Sequence, residues 1–475
     1  MYVNGEWAAA RKGRQFAVRN PATLEVLADV PDGDREDARR AIEAAHAAFP
    51  AWSSTPAEQR ARLLYRAAEI VRARQEELAV VLTKENGKPL AESRGEMAAA
   101  ASFLQWNAEE ARRTYGRVVP PASPDRRVLT FRQPVGVVAA ITPWNFPGSM
   151  VTRKLGPALA AGCTAVLRPA RATPLIAMEI VRVLAEAGFP PGVVNLVTGT
   201  DSAGIGEEFA TNPLVRKLTF TGSTEVGKQL LALAAGTVKR VSLELGGHAP
   251  FLVFEDADLD LAAKSAALSR FRNGGQTCIC TNRLYVQRPI AAAFTERVAA
   301  IVRSLRVGNG LESDVQVGPL IDERALAKVS RHVEDAVAKG ARLLAGGNRL
   351  SPGGELRGYF YQPTVLAEVR PEMLVMNEET FGPVLPVATF DTEDEAIALA
   401  NNTPYGLAAY FFTRDVGRVF RVSERLEYGI VGANDPVPVG AHIPFGGVKE
   451  SGLGRENGAE GIEAFLETKA VSIGI

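Results

Sequence analysis

The residue with the clearest capacity for chemistry is a cysteine in a glycine-rich loop. The stretch Phe271–Cys280 follows a predicted helix and places Cys278 three residues after Gly275. Small residues let a substrate carbonyl approach the backbone closely, and a loop thiol can be exposed and activated as a nucleophile. The alternative is a buried and inert thiol, which is the more common state of a lone cysteine.

Two other segments place polar side chains where strands of a predicted sheet end. Asn145 follows the apolar run Val135–Ile141, and its amide could donate a hydrogen bond to a developing oxyanion. Glu244 lies near the end of Val241–Leu245, beside two glycines, where it could act as a general base or cap the next element. Together with Cys278, these residues suggest covalent catalysis with a nucleophile, an oxyanion donor and a base.

The elements that must position these residues indicate an α/β fold with a doubly wound parallel sheet. Residues 35–113 have helical periodicity interrupted at Asn86–Pro89, and short apolar strands then alternate with amphipathic helices up to Leu245. This alternation is typical of a dinucleotide-binding sheet. It continues after Gly246, and 475 residues exceed what one hydrophobic core holds, so we expect two or three domains.

Composition excludes several classes of function. Lys and Arg number 54 and Asp and Glu number 54, so no net charge favours nucleic acid or an anionic membrane. Three cysteines indicate a reducing compartment, and neither a signal peptide nor an apolar run of about 18 residues is present. We therefore predict a cytoplasmic protein. No His, Cys and carboxylate cluster has metal-ligand spacing, so no metal is predicted.

Six segments, taken in chain order, resemble motifs of the aldehyde dehydrogenase family, and the resemblance extends over essentially the whole chain. These segments are Pro143–Pro147, Phe220–Gly227, Glu244–Gly247, Gly275–Cys278, Glu378–Pro383 and Pro444–Lys449. Within the family, the sequence is most similar to succinate-semialdehyde dehydrogenases, through Phe271–Cys280, Thr281–Gln287 and Arg425–Val431.

The resemblance implies a three-part architecture. Residues 1–115 and 136–245 would form a doubly wound, parallel-sheet dinucleotide-binding domain, and residues 246–435 a second α/β domain that is catalytic. Residues 116–135 and 455–475 would form a small β oligomerisation element that bridges subunits of a homodimer or homotetramer.

The resemblance also implies a reaction. Cys278 would attack the aldehyde as a thiolate, and the Asn145 amide with the Cys278 backbone N–H would hold the oxyanion of the thiohemiacetal. Hydride transfer to NAD(P) would leave a thioester, which water activated by Glu244 would hydrolyse to a carboxylic acid. Lys154 and Glu456 match positions that assist proton movement, although either could be an ordinary ion-pair partner.

No Gly-x-Gly-x-x-Gly fingerprint follows a predicted strand, so the cofactor site must be built differently. Gly222 and Ser223 lie between a strand and a helix, where backbone N–H groups can face a pyrophosphate. The same stretch nearly matches a nucleotide-hydrolase loop, but Gln229 replaces the magnesium-binding Ser or Thr. By resemblance, Glu379 would hold the nicotinamide ribose and Phe381 would pack near the ring. Further cofactor-binding candidates are Thr142, Pro143, Trp144 and Leu245.

Two arginines bear on the choice of cofactor. The family usually has Lys at the position of Arg168, and NAD-preferring members often have Glu at the position of Arg171. A glutamate at that position would repel the 2′-phosphate of NADP, whereas an arginine attracts it and can make a bidentate contact. NADP is therefore favoured over NAD. The alternative is that both side chains lie on a solvated rim.

The substrate-binding candidates are also arginines. By resemblance, Arg153 and Arg272 would grip the distal carboxylate of succinate semialdehyde, although each could be a structural ion pair. A serine expected near Val439 is missing. Glutarate or 2-oxoglutarate semialdehyde, or an uncharged aliphatic or aromatic aldehyde, is therefore an alternative substrate. Cys280 is a candidate partner of Cys278 in a redox-switch disulfide, or merely packs.

Two rival classes have little support in the sequence. A serine hydrolase is disfavoured because only four histidines and no Gly-x-Ser-x-Gly motif are present. A catalytically silent binding protein with this fold would not need Cys278, Glu244 and Asn145 together.

Overall fold

The computed structural model describes residues 1–475, with helices packed on two mainly parallel sheets. The helices are α1 (Arg35–Ser53), α2 (Ala57–Ala73), α3 (Gln75–Asn86), α4 (Leu90–Ala111), α5 (Pro147–Ala161), α6 (Leu175–Ala187), α7 (Ser202–Thr211), α8 (Thr224–Ala234), α9 (Leu259–Phe271), α10 (Ala291–Arg303), α11 (Glu323–Ala338), α12 (Glu393–Asn401), α13 (Val416–Arg425) and α14 (Glu460–Glu463). No helix is long and apolar enough to cross a membrane.

The first sheet has eight strands. They are β1 (Tyr2–Val3), β2 (Glu6–Trp7), β7 (Val137–Ile141), β8 (Thr164–Arg168), β9 (Val194–Leu196), β10 (Val215–Thr221), β11 (Arg240–Glu244) and β21 (Gly452–Leu453), in the order β2-β1-β9-β8-β7-β10-β11-β21. Strands β7 to β11 are parallel. The chain winds outward from β7 through β8 to β9 and returns to β10 on the other side of β7, so a topological switch point lies between β7 and β10.

The second sheet has seven strands. They are β12 (Ala249–Val253), β13 (Thr281–Gln287), β14 (Arg342–Ala345), β17 (Thr364–Ala367), β18 (Val384–Phe390), β19 (Ala408–Phe412) and β20 (Ile430–Ala433), in the order β14-β17-β18-β13-β12-β19-β20. Only β14 is antiparallel. The predicted α/β fold with a doubly wound parallel sheet and a second α/β region is therefore confirmed.

The C-terminal strand belongs to a third, antiparallel sheet. Its members are β5 (Arg117–Val119), β6 (Arg126–Pro134) and β22 (Leu466–Gly474), in the order β22-β6-β5. The C-terminal strand thus pairs within its own chain, from Leu466 opposite Pro134 to Gly474 opposite Arg126. Two small pairs complete the β structure, β3 (Gln15–Arg19) with β4 (Val26–Pro31) and β15 (Arg349–Leu350) with β16 (Phe360–Tyr361).

The β7–α5 unit shows how local sequence positions the site. Every residue of β7 is buried, as expected of a central parallel strand composed only of Val, Ala and Ile. Helix α5 begins at Pro147, whose fixed φ suits the first helical position, and ends before Gly162, which adopts the left-handed conformation. The loop between strand and helix, Thr142–Phe146, therefore carries Asn145 at the carboxyl end of β7.

The helical segment of residues 35–113 breaks at Asn86–Pro89, as predicted. Helix α3 ends at Asn86, Gly87 adopts a left-handed φ of 92°, and α4 begins at Leu90. Glycine is required at position 87 because its φ disfavours other residues and because a side chain there would collide with Pro319 and Pro21. The break sets the start of α4, which packs against α5 beneath the β7–α5 loop.

Candidate active site

Two cavities meet at the predicted nucleophile. One has a volume of about 380 Å³ and is lined by Phe146, Arg153, Arg272 and Cys278, among others. The second, of about 270 Å³, is lined by residues at the ends of first-sheet strands and by residues of α11 and the loop before β18, and it also reaches Cys278. The thiol is partly exposed, whereas Cys163 and Cys280 are buried. Cys278 can therefore meet one ligand from each side.

The loop before Cys278 depends on left-handed backbone conformations. Asn273, Gly274 and Gly275 have φ values of 51°, 61° and 74° in succession. A Cβ on Gly275 would lie 2.2 Å from the carbonyl oxygen of Gly382. Glycine is required there because any side chain would clash with backbone and strain φ. The Gly-Gly pair thus brings the nucleophile loop against the turn that precedes β18.

Asn145 reaches this loop from the first sheet. Its side-chain Nδ2 donates to the carbonyl oxygen of Gln276 at 3.1 Å, two residues before Cys278. The Asn145 side chain is buried, and its Oδ1 has no hydrogen-bond partner. One amide N–H remains available, so Asn145 can donate to an oxygen close to the thiol.

Glu244 is a buried carboxyl at the end of β11. Its Oε2 has no hydrogen-bond partner, and its Oε1 would lie 2.9 Å from a Cβ added to Gly446. Burial, and then the nearby charge of Glu456, raise the pKa of Glu244 well above its usual value. A carboxylate with a raised pKa is the stronger base toward water.

Lys154 and Glu456 form a buried ion pair next to Glu244. The Lys154 Nζ lies 2.7 Å from Glu456 Oε1 and donates to Thr219 Oγ1 at 3.0 Å. Glu456 Oε2 lies 3.9 Å from the Nε of Arg153. The structure therefore brings four of the predicted site residues into one charged cluster around Glu456.

The second cavity holds most of the predicted cofactor-binding residues. Its lining includes Pro143, Trp144, Gly222, Ser223, Leu245, Glu379 and Phe381. The Trp144 and Phe381 rings meet edge to face with centroids 5.5 Å apart. Glu379 Oε1 accepts the Gly247 N–H at 3.1 Å, and burial raises the pKa of Glu379 to about 7. A carboxylate beside an aromatic slot can accept ribose hydroxyls, so the residues present fit a nicotinamide nucleotide.

Three predicted cofactor-binding residues do not line that cavity. Thr142 is buried and its Oγ1 lacks a partner. Arg168 is buried and donates to the Gly199 carbonyl oxygen at 3.4 Å, while Arg171 is exposed and lines a separate cavity of about 310 Å³. Burial, and then the positive charge of Arg171, lower the pKa of Arg168 to about 10.

The first cavity brings both predicted substrate-binding arginines to the nucleophile. The Arg153 guanidinium carbon lies 4.3 Å from the centre of the Phe445 ring, and its Nε and Nη1 have no hydrogen-bond partner. Arg272 lies over the Phe146 ring at 5.0 Å. Val439 lines the same cavity, where it offers an apolar side chain and no hydroxyl.

Cys280 lies in a closed environment. Its Sγ is 3.1 Å from Arg270 Nη1 and 3.3 Å from the Gly275 carbonyl oxygen, and the residue is 1% exposed. Burial raises the pKa of its thiol. These contacts describe a packed thiol, and the disulfide with Cys278 stays a prediction.

Two charged residues that support the site, Lys88 just before α4 and Glu96 within it, belong to none of the motifs in the sequence. Lys88 and Glu96 are buried beneath the β7–α5 loop, whereas the stretch Asn86–Pro89 by itself indicates only a helix breaker. Lys88, Glu92 and Glu96 are spaced four residues apart, so in a helix their side chains would lie on one face. This spacing is the one sequence signal that could have grouped them.

Comparison with known proteins agrees with this geometry. The sequence profile described as the aldehyde dehydrogenase family matches residues 7–471. The chain belongs to the aldehyde dehydrogenase family. It is an NAD(P)-dependent aldehyde dehydrogenase, as the six motifs predict.

This aldehyde dehydrogenase has curated relatives of nearly the same length. It is 54% identical to a 3-sulfolactaldehyde dehydrogenase of Pseudomonas putida, with 100% of this chain and 96% of the relative covered. It is 52% identical to a glutarate-semialdehyde dehydrogenase of Pseudomonas aeruginosa, covering 100% and 97%. It is 51% identical to an NADP(+) succinate-semialdehyde dehydrogenase of Escherichia coli, again covering 100% and 97%.

Solved structures agree with the fold. The crystal structure of an Escherichia coli NADP-dependent enzyme superposes on this aldehyde dehydrogenase with a TM-score of 0.98 at 50% identity, covering 100% of this chain and 98% of the other. The arrangement of the two large sheets is therefore that of known members of the family.

The environment of Cys278 predicts the pH dependence of its alkylation in this aldehyde dehydrogenase. Burial, and then the charge of Glu379, raise the pKa of the Cys278 thiol to about 12. In the absence of cofactor, the thiolate fraction and the alkylation rate should therefore rise about tenfold per pH unit from neutral pH upward. Mass spectrometry after timed iodoacetamide treatment measures this, with Cys278→Ala as the control. An alkylation rate that levels off below about pH 9 would contradict the raised pKa of the Cys278 thiol.

Proposed function

We propose that the protein oxidises an aldehyde with a distal anionic group to the carboxylic acid through a thioester on Cys278. The observation that carries this proposal is the cavity that joins Cys278 to two arginines. The buried Arg153 guanidinium has no hydrogen-bond partner at Nε or Nη1, and a buried donor is costly to leave without an acceptor. A carboxylate or sulfonate in the cavity supplies that acceptor.

The residues divide the reaction between them. Glu244 accepts the thiol proton, and Cys278 Sγ attacks the carbonyl carbon while Asn145 Nδ2 and the Cys278 N–H hold the oxyanion. A bound nicotinamide cofactor supplies the hydride acceptor. Glu244 first passes the thiol proton on and returns to its carboxylate form; it then removes a proton from water, whose oxygen attacks the thioester carbon and expels the Cys278 thiolate. Glu456 and Lys154 carry protons away from Glu244.

Succinate semialdehyde is the first candidate substrate, because the Escherichia coli relative named for it matches this chain over its whole length. Val439 offers no hydroxyl to a substrate tail, so glutarate semialdehyde or a sulfonated aldehyde is the alternative. The names of the two Pseudomonas relatives, a glutarate-semialdehyde and a 3-sulfolactaldehyde dehydrogenase, favour testing both.

The arginine clamp predicts discrimination between succinate semialdehyde and butanal, which differ in the distal carboxylate. Arg272→Ala should lower kcat/KM for succinate semialdehyde about 100-fold because a charge-assisted hydrogen bond is lost. It should change kcat/KM for butanal little. NADPH formation at 340 nm measures both rates, and Arg66→Ala, at an exposed position of α2, is the matched control.

Equal losses for both aldehydes would mean that Arg272 has a structural role. Equal rates of the unmodified protein with both aldehydes would overturn the anionic-substrate proposal. Glutarate semialdehyde and 3-sulfolactaldehyde in the same assay distinguish the alternatives within the acid class.

We propose NADP as the preferred cofactor. Arg168 and Arg171 concentrate two positive charges near the loop before α7, and the hydroxyl of Ser202 accepts from Arg168. This arrangement suits a 2′-phosphate better than a ribose hydroxyl pair. NAD remains the alternative because neither arginine lines the cavity that holds Glu379.

Arg171→Glu should reverse the preference. The new carboxylate would repel a 2′-phosphate and could accept ribose hydroxyls, so the ratio of kcat/KM for NADP to that for NAD should fall at least tenfold, equivalent to about 1.4 kcal/mol. Steady-state kinetics with both cofactors at saturating aldehyde measure the ratio, with Arg66→Glu as the control. An unchanged ratio would contradict a role for Arg171.

We also propose a division into three parts. Residues 1–115 and 136–245 form the dinucleotide-binding domain, and residues 246–435 form the catalytic domain. Residues 116–135 and 455–475 form the oligomerisation element. The register of its sheet puts Val118, Leu129 and Val471 opposite one another on one face, together with Phe131 and Ile473. Val118 is 79% exposed and Phe131 is 47% exposed. The same face also carries Arg127 and Lys469, opposite Ile473 and Phe131. A face that exposes apolar side chains in this way suits a second subunit. A cytoplasmic location stays a prediction from the sparse cysteines.

Charge on that face should separate the subunits. The double substitution Val118→Glu and Phe131→Glu places carboxylates in the proposed interface and should convert a homodimer or homotetramer to smaller species. Light scattering after size-exclusion chromatography measures the mass. Leu343→Glu, at a 42% exposed position of the second sheet, is the control. An unchanged mass would place the interface elsewhere.

A further inference from the structure

A buried ion pair lies directly beneath the β7–α5 loop. Lys88 and Glu96 have side chains that are 0% and 1% exposed, and Lys88 Nζ lies 2.6 Å from Glu96 Oε2. Two buried charges lose much hydration, and their attraction repays this only with good geometry and further hydrogen bonds. The other hydrogen bonds of Lys88 and Glu96 therefore indicate the role of the ion pair.

Those contacts hold the backbone on both sides of Phe146. Lys88 Nζ donates to the carbonyl oxygen of Asn145 at 2.6 Å and lies 3.9 Å from the centre of the Phe146 ring. Glu96 Oε1 accepts the N–H groups of Gly148 and Ser149 at 2.9 and 3.1 Å. One ion pair thus fixes the peptide of Asn145 and the first turn of α5.

The same carbonyl oxygen also binds the nucleophile loop. Asn273 Nδ2 donates to the Asn145 carbonyl at 2.9 Å and to the Gln276 carbonyl at 3.2 Å. Glu92 Oε2 accepts the Asn273 N–H at 2.8 Å. Charged side chains just before α4 and in its first two turns therefore anchor both the Asn145 peptide and the loop that carries Cys278.

We propose that Lys88, paired with Glu96, is a positioning residue that sets where the Asn145 amide lies relative to Cys278. The proposal rests on the proposed role of Asn145 as an oxyanion donor. Such donors must lie within about 0.5 Å of their working position to be effective. Lys88 itself lines neither cavity. Its one hydrogen bond to the loop after β7 is to the Asn145 carbonyl oxygen, so the Asn145 peptide is the part of the site that it fixes directly.

Kinetics of five variants test the proposal. They are Lys88→Met, the charge-neutral double variant Lys88→Met with Glu96→Gln, Asn145→Ala, the combination Lys88→Met with Asn145→Ala, and Ser93→Ala. Ser93 is the matched control because it is buried on α4 and its hydroxyl bonds to Thr83, 2.7 Å away, outside the site. Single-turnover formation of NADPH and the thermal midpoint are measured for each variant.

Lys88→Met should slow single-turnover NADPH formation about 10- to 100-fold, with the KM values for aldehyde and NADP changed less than about threefold. Asn145→Ala should slow it about 100- to 1000-fold. Adding Lys88→Met to Asn145→Ala should cause little further loss, because residues that act through one group are not additive. Ser93→Ala should retain the full rate.

Different outcomes overturn different claims. If Lys88→Met multiplies the loss caused by Asn145→Ala, or keeps the full rate while Asn145→Ala is impaired, the positioning role is wrong. If Asn145→Ala keeps the full rate, the oxyanion role of Asn145 is wrong, and the positioning role with it. If Lys88→Met fails to fold because Glu96 is left unpaired, the charge-neutral double variant replaces it, and a full rate in that variant overturns the proposal.

Discussion

The backbone carbonyl of Asn145 is the point on which the arrangement of the site depends. It accepts hydrogen bonds from Lys88 and Asn273, so the loop after β7 is tied to the loop that carries Cys278. These two loops belong to different sheets, and nothing in either sheet alone would hold them at a fixed separation. Catalysis by a thiol and an oxyanion donor needs that separation to be fixed.

A second constraint comes from burial of charge. Glu244, Glu456, Lys154 and Arg153 lie within one buried cluster, where burial and the charge of Glu456 raise the pKa of Glu244. Glu456 binds Lys154 and lies near Arg153, while Glu244 keeps an unpaired oxygen. The cluster therefore connects Arg153, which suits the anionic tail of a substrate, to Glu244, which suits the role of a base. A substrate tail that neutralises Arg153 would remove one charge that lowers the pKa of Glu244.

Much of the fold could be predicted because its signals are local. The break at Asn86–Pro89, the apolar strand β7 and the alternation of short strands with helices each follow from residues within a few positions. The short strands β1 and β2 could not be predicted because two residues carry no usable periodicity. Strand β1 forms by pairing with β9, where Tyr2 lies opposite Leu196, and β2 then pairs with β1.

By itself, the sequence determined the α/β alternation, the family resemblance and the residues that can do the chemistry, because these depend on residue types and short spacings. It did not determine that Lys88 is buried, since a lysine beside a helix start usually lies in solvent. It also did not determine that Arg168 and Arg171 lie outside the cavity of Glu379. Only the tertiary structure decided these points, because burial and distance depend on how distant segments pack.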